Sequence, residues 1–321
     1  MSDNQPTGTA PAMRGWPHGP TAFEQRHGNG TMRVVTAIIG IPIVLGAVWL
    51  GGWAFFGLIT AASVGALLEF YWMAEKKGAH PNKILGAVAV VLLCFQYAQI
   101  ISVGLALFTI RLPFSDLLLH SIPMLVLLVP VVVLLLEMFR RTEGAMVNNS
   151  VTIAGIAYIG LCLPALIGIQ QLGPLFGAGE KFSFYMIMAI LVSIWTCDSF
   201  AYYGGRLFGK HKLFERVSPK KTWEGAISGA FGAVGAMLAM RALALPFLTV
   251  TDAIVMGLIC GIFGQLGDLA ESHLKRDAGV KDSSQLIPGH GGILDRFDSL
   301  LFVSPMIYLY LLLRLAGMWF R

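Results

Sequence analysis

The chain has 321 residues, of which 56% are hydrophobic and only 13% charged, with a mean hydropathy of +0.70. A soluble domain carries about a quarter of its residues as charged groups, so a water-covered globule is excluded and an all-α, polytopic integral membrane protein is expected. The formal charge of +5 and the isoelectric point near 9.1 are explained first by membrane topology, and nucleic acid is not expected as a partner.

Residues 1–31 hold Pro6, Pro11, Pro17 and Pro20, five glycines and no apolar run. This composition predicts a disordered cytoplasmic tail and lacks the apolar core of a signal peptide. Taking about 20 apolar residues per crossing, helices are predicted at 34–52, 53–73, 84–108, 116–138, 150–172, 183–205, 225–247, 252–273 and 299–320, about nine transmembrane helices. Residues 32–180 form an N-terminal membrane region and 181–321 a C-terminal catalytic region. Only Gly51-Gly52 separates the first two helices, and the eighth runs into Asp268 and Glu271, so either could be a broken or re-entrant segment. The four cysteines, Cys94, Cys162, Cys197 and Cys260, stand singly in apolar runs and match neither a disulfide framework nor a metal cluster.

Basic residues in short loops should gather on the cytoplasmic side. With this set of spans, eighteen of the 23 Lys and Arg fall on one side, and five, Arg111, Lys181, Arg241, Arg314 and Arg321, on the other or inside helices. The asymmetry places the N-terminus in the cytoplasm, the C-terminus outside, and the charged loops 206–224 and 274–298 on the cytoplasmic face.

Because charge is scarce, its location is informative. Asp268, Glu271, Ser272 and Lys275 recur at i, i+3, i+4 and i+7 and therefore share one helix face. Carboxylates on a membrane helix are costly unless they face a cavity, a partner or a metal. After Arg276 come Lys281-Asp282, the segment Ile287-Pro288-Gly289-His290-Gly291-Gly292, and then Asp295-Arg296-Phe297-Asp298 at the mouth of the last helix. Two acidic pairs flanking a glycine-containing loop suit a hard cation carrying a phosphate: oxygen ligands suit Mg2+, and glycines let backbone N–H groups approach an anion. Between residues 268 and 298 four bases face six acids, so phosphates would be repelled unless a divalent cation or paired cations inverted the local sign. His290 is either a loop residue ordered by its neighbours or a phosphate contact.

In the other loop, six bases at 206–224 face Glu215 and Glu224. Such a loop serves as a topology signal or a lipid headgroup contact. Ser218-Pro219 with Glu224 ahead of the helix also predicts an ordered lead-in to that helix. Asp198 lies deep in the preceding apolar run, as a buried organiser or a second metal ligand. Neither loop is a Walker A or a dinucleotide-binding fingerprint.

The run Ser272-x-Leu274-Lys275-Arg276-x4-Lys281-Asp282-x-Ser284-x2-Ile287-Pro288-x-His290-Gly291-Gly292-Ile293-x-Asp295-Arg296-Phe297-Asp298 resembles the signature of the phosphatidate cytidylyltransferases, the CDP-diacylglycerol synthases. Asp198, Tyr202, Gly205-Arg206, Gly209-Lys210 and Ser218-Pro219-Lys220-Lys221-Thr222-Trp223-Glu224-Gly225 are similar to that family as well. The resemblance is clearest over residues 190–300. It implies an inner-membrane nucleotidyltransferase of phospholipid biosynthesis that joins CTP to phosphatidic acid, forming CDP-diacylglycerol and pyrophosphate, with Mg2+ and a monovalent cation such as K+, as a homodimer. On that footing Asp268, Asp295 and Asp298, with Glu271 and Asp198, would hold metal. Lys275, Arg276, Lys281 and Arg296 would stabilise phosphate charge, and Ser272, Lys220, Lys221, His290, Gly291 and Gly292 would contact substrate. Two other activities stay open from the residues: a CTP-dependent lipid kinase of the polyprenol or dolichol type, and an ion-coupled transporter, which also uses intramembrane carboxylates and broken helices.

Overall fold

A computed structural model describes residues 22–109, 121–140, 142–176, 181–287 and 289–319. It is built from helices α1 (Ala22–Leu50), α2 (Gly52–Glu75), α3 (Lys83–Thr109), α4 (Ser121–Met138), α5 (Ala145–Gly155), α6 (Ala165–Gln171), α7 (Phe182–Phe208), α8 (Trp223–Ala244), α9 (Val250–Asp277) and α10 (Leu294–Trp319), with strands β1 (Lys212–Phe214) and β2 (Ser218–Thr222). Six helical stretches are long and apolar enough to cross a membrane: α2, Ala145–Gln171, α7, α8, α9 and Leu294–Gly317. Shorter apolar stretches, Thr36–Leu50, Lys83–Ala98 and Val126–Met138, fall within the other three predicted crossings. The outer faces carry largely exposed Trp53, Ile84, Leu127, Phe231 and Leu313, a surface suited to lipid and not to water. The chain is an all-α integral membrane protein.

Several boundaries differ from the sequence expectation. Helix α1 begins at Ala22 and takes in ten residues assigned to the tail; all four tail prolines precede it, so nothing in 22–31 blocks the helical ladder. Residues 1–21 of the predicted tail lie outside the described residues. Helices α1 and α2 are distinct and joined by a tight reversal, with Gly51 and Gly52 at φ +62° and +46°, a region where a side chain would be strained. The predicted span 150–172 is a helix that widens into a π turn at Ile156–Gly160 and resumes after Pro164, which has no N–H to donate. The eighth predicted helix runs unbroken to Asp277. The last begins at Leu294, five residues early, so Asp295 and Asp298 lie within it.

The 206–224 loop also holds something that the helical reading missed. Strands β1 and β2 pair antiparallel as a short hairpin, with Lys212 opposite Thr222 and Phe214 opposite Ser218. Thr222 caps α8, its side chain accepting from Gly225 N at 3.2 Å, so the lead-in to this helix is ordered. Glu224 turns back to accept from Lys210 N at 3.1 Å and to meet His211 Nδ1 at 2.6 Å. Strands of three and five residues are too short to leave an alternating pattern among so many charges.

Helices α7 to α10 pack closely because their contact faces are glycine, as membrane helices favour. A Cβ at Gly229 would press on Cys197 and Ala201 of α7, one at Gly261 on Ala230 of α8, and one at Gly267 on the Asp298 backbone of α10. This close stacking draws together one end of the four helices, where α7 leaves for the hairpin and α9 for the loop before α10.

Candidate active site

Asp198 of α7, Lys221 of β2, Asp268 of α9 and Asp298 of α10 meet at that end. Gly267 lets the Asp298 backbone lie directly against α9, one residue before Asp268. Lys221 Nζ reaches Asp268 Oδ2 at 2.6 Å, and Ser272 Oγ, one turn along α9, lies 3.3 Å from Asp268 Oδ1. Asp198, exposed on α7, interacts electrostatically with Asp268 and Lys221, and Asp298 with Asp268 and Asp198. The three carboxylates are thus electrostatically coupled, with Lys221 paired to Asp268 and Lys275 acting on Asp298.

Nearer the ends of α9 and α10 a second cluster forms, more buried within the protein. Lys275 pairs with the fully buried Glu271 and with Asp295, its Nζ 2.5 Å from Asp295 Oδ1. This ammonium is therefore engaged between two carboxylates. Asp295 Oδ2 accepts from Ser283 N at 2.9 Å, Ser283 Oγ at 2.9 Å and Gly292 N at 2.8 Å. The loop between α9 and α10 is folded onto this carboxylate, narrowing through an isolated bridge between Ile287 and Gly291. Gly291, at φ +81°, and Gly292 have no room for a Cβ, which would meet Asp295 Oδ2 in the first case and Ser283 Oγ and Glu69 Oε2 in the second. The glycines do let backbone approach an anion closely, but that anion is the chain's own carboxylate.

Most of the expected site residues are thus brought together: Asp198, Asp268, Asp298, Lys221 and Ser272 in the outer cluster, Glu271, Lys275 and Asp295 in the inner one. Lys220, Arg276, Lys281 and Arg296 are exposed, and Arg276 donates to Val280 O at 3.0 Å. His290 donates its backbone N–H to Ile287 O at 2.9 Å, while its buried Nδ1 has no hydrogen-bond partner. Glu69 of α2, absent from the expected set, carries four hydrogen bonds from the loop and the start of α10. The rule that singled out Asp268 would have found it, since Glu69 is a lone carboxylate in the apolar run Leu67-Leu68-Glu69-Phe70-Tyr71.

Among the described residues no three His, Cys, Asp or Glu side chains stand close enough together to hold a metal ion as they are placed. The donor chemistry nevertheless fits a hard cation. The outer donors are all carboxylate oxygens, three beside the ammoniums of Lys221 and Lys275, and they lie toward the end of apolar helices where uncompensated charge is costly.

A sequence model described as the cytidylyltransferase family matches residues 31–314. A phosphatidate cytidylyltransferase of Synechocystis sp. is 34% identical over 307 residues, covering 89% of this chain and 97% of that protein. A phosphatidate cytidylyltransferase of Bacillus subtilis is 34% identical, with 88% and 97% covered. One of Brucella abortus biovar 1 is 30% identical, with 88% and 93% covered.

Proposed function

Since the chain belongs to the cytidylyltransferase family, we infer that the convergent carboxylates and bases are the catalytic centre of a phosphatidate cytidylyltransferase. It is a membrane-embedded nucleotidyltransferase that joins CTP to phosphatidic acid and releases pyrophosphate. The observation that carries this reading is the Lys221–Asp268 ion pair, with Asp198 and Asp298 electrostatically coupled to Asp268, beside a loop bearing Lys281 and His290 and leading to Arg296.

A phosphate monoester loses its second proton with a pKa of about 6, so phosphatidic acid arrives largely ionised and needs no strong general base. One of its phosphate oxygens attacks the α-phosphorus of CTP; that P–O bond forms as the bond to the β-phosphate oxygen breaks, and pyrophosphate carries away the electron pair. The barrier is the approach of a dianion to a polyanion, which positioning and cations lower. Lys220, Lys221, Arg276, Lys281 and Arg296 would hold phosphates, with Ser272 and His290 offering hydrogen bonds. Lys275 would act from its place between Glu271 and Asp295, and Gly291 and Gly292 by allowing the loop its shape. Mg2+, with K+ as a second cation, would be held by Asp268, Asp298 and Asp198, with Asp295 and Glu271 behind them, and would neutralise charge on the reacting phosphates.

The lipid would come from the bilayer. A groove of about 530 Å3 between α8 and α9, lined by Ile227, Phe231, Leu258, Ile262 and Leu266, has Trp223 and Leu269 at one end, the sequence neighbours of the Lys221 and Asp268 region. We place the active site and the N-terminus on the cytoplasmic side of the inner membrane, from the distribution of basic residues, and the enzyme as a homodimer. The test is purified protein given phosphatidic acid with each of the four NTPs. CDP-diacylglycerol and pyrophosphate should form with CTP and Mg2+. CDP as product would identify a lipid kinase instead, and no turnover of CTP would return the reading to a transporter.

A further inference from the structure

We propose that Glu69 is a positioning residue for the transfer reaction, tying Ser283 and Ser284 to Ile293 and Leu294 so that the site is presented to its substrates; this rests on the function proposed above. Glu69 is 2% exposed, so it does not itself touch substrate. A carboxylate buried in apolar helices is costly unless its acceptor sites are used, and here both oxygens are used twice. Oε1 accepts from Ser284 Oγ at 2.6 Å and Ile293 N at 2.9 Å; Oε2 accepts from Ser283 Oγ at 2.8 Å and Leu294 N at 2.8 Å.

Ile293 and Leu294 stand where α10 begins, where the first backbone N–H groups have no partner inside the helix. Glu69 satisfies two of them from another helix, and its negative charge suits that helix end. From the opposite side Asp295 takes Ser283 N and Gly292 N. Ser283 Oγ lies 2.8 Å from Glu69 and 2.9 Å from Asp295, and a hydroxyl has one proton to give, so the two carboxylates share it. A Cβ at Gly292 would strike Glu69 Oε2 and Ser283 Oγ, which accounts for glycine there. Because Asp295 also holds Lys275, and Asp298 lies one turn further along α10, Glu69 sets the position of both clusters through the loop.

The experiment uses the full chain in detergent, with Glu69→Gln and, as a milder change, Ser284→Ala. Amide hydrogen exchange is read over 283–296 and over α7 to α9, and kcat and KM for CTP and phosphatidic acid are measured alongside. Glu69→Gln turns one acceptor into a donor facing donors. Exchange at Ile293 and Leu294 should quicken by about tenfold or more while α7 to α9 stay protected. The KM for CTP should rise by about tenfold, because substrate must now order the loop, with a smaller fall in kcat. Ser284→Ala should move both readouts in the same direction by about threefold, and it decides the matter if Glu69→Gln does not fold. Unchanged exchange at 293–294, faster exchange with unaltered KM and kcat, or loosening spread evenly through the bundle would each overturn the proposal. A wild-type protein that makes no CDP-diacylglycerol would instead sink the proposed function, and the exchange measurement, which needs no turnover, would still report on the loop.

Discussion

Asp268 illustrates how little of a partly exposed ion pair goes into stability. Its partner Lys221 and Asp268 itself keep 26% and 38% of their side chains exposed, and pairs of that kind contribute under about 1 kcal/mol. Asp268→Asn should therefore leave the melting temperature in detergent nearly unchanged while removing a charge that the phosphates and their cation require. Turnover should fall by about 100-fold or more, and Asp298→Asn should behave alike. A double variant with near-normal Mg2+-dependent turnover would remove both residues from the site. Lys275 is the opposite case. It is engaged between two buried carboxylates, and breaking such a cluster by removing one partner costs about 3–5 kcal/mol. Lys275→Met should lower the melting temperature sharply, so its activity loss must be compared at matched folded fraction before any share is given to phosphate binding.

Among the elements, α9 is the one on which the site depends most directly. Its N-terminus is held by Thr249 and Asp252 in a reciprocal cap, and Asp252 also receives Arg314 Nε and Nη2, each at 2.7 Å, from the far end of α10. At its other end Gly267 lies against Asp298, and the carboxylates gather there. Helices α9 and α10 are thus fixed at both ends, one by charge and one by close approach. Gly267→Ala should force the Asp298 carbonyl to move, since backbone cannot rotate away as a side chain would. Overpacking of this kind costs about 1–3 kcal/mol, and a small displacement of Asp298 should lower activity by about tenfold or more. Gly235→Ala on α8, where a Cβ meets open space, should leave activity intact and serves as the control. Full activity in Gly267→Ala would show that the α9–α10 spacing does not set the site.

For the whole molecule, the distribution of charge predicts an orientation that can be read directly. A cysteine placed in the β1–β2 hairpin, in a background lacking the four native cysteines, should react with a membrane-impermeant reagent from the cytoplasmic side alone; reaction from outside would overturn the orientation. Much of the architecture is legible along the chain because apolar runs and scarce charge are one-dimensional signals: the helical membrane class, the Gly51-Gly52 break and the acidic stripe from Asp268 to Lys275 all follow from spacing. The hairpin is not legible, because its strands are too short to show a period, and neither is the start of α10 at Leu294, because its cap comes from another helix. The sequence by itself marked ionisable side chains in apolar helices as candidates for the site, since such a group is costly wherever it falls. Only the tertiary structure decided which of them meet. Lys221 reaches Asp268 across 47 positions, and Glu69 reaches Leu294 across 225, because packing through glycine brings them together and no local pattern encodes a partner so far along the chain.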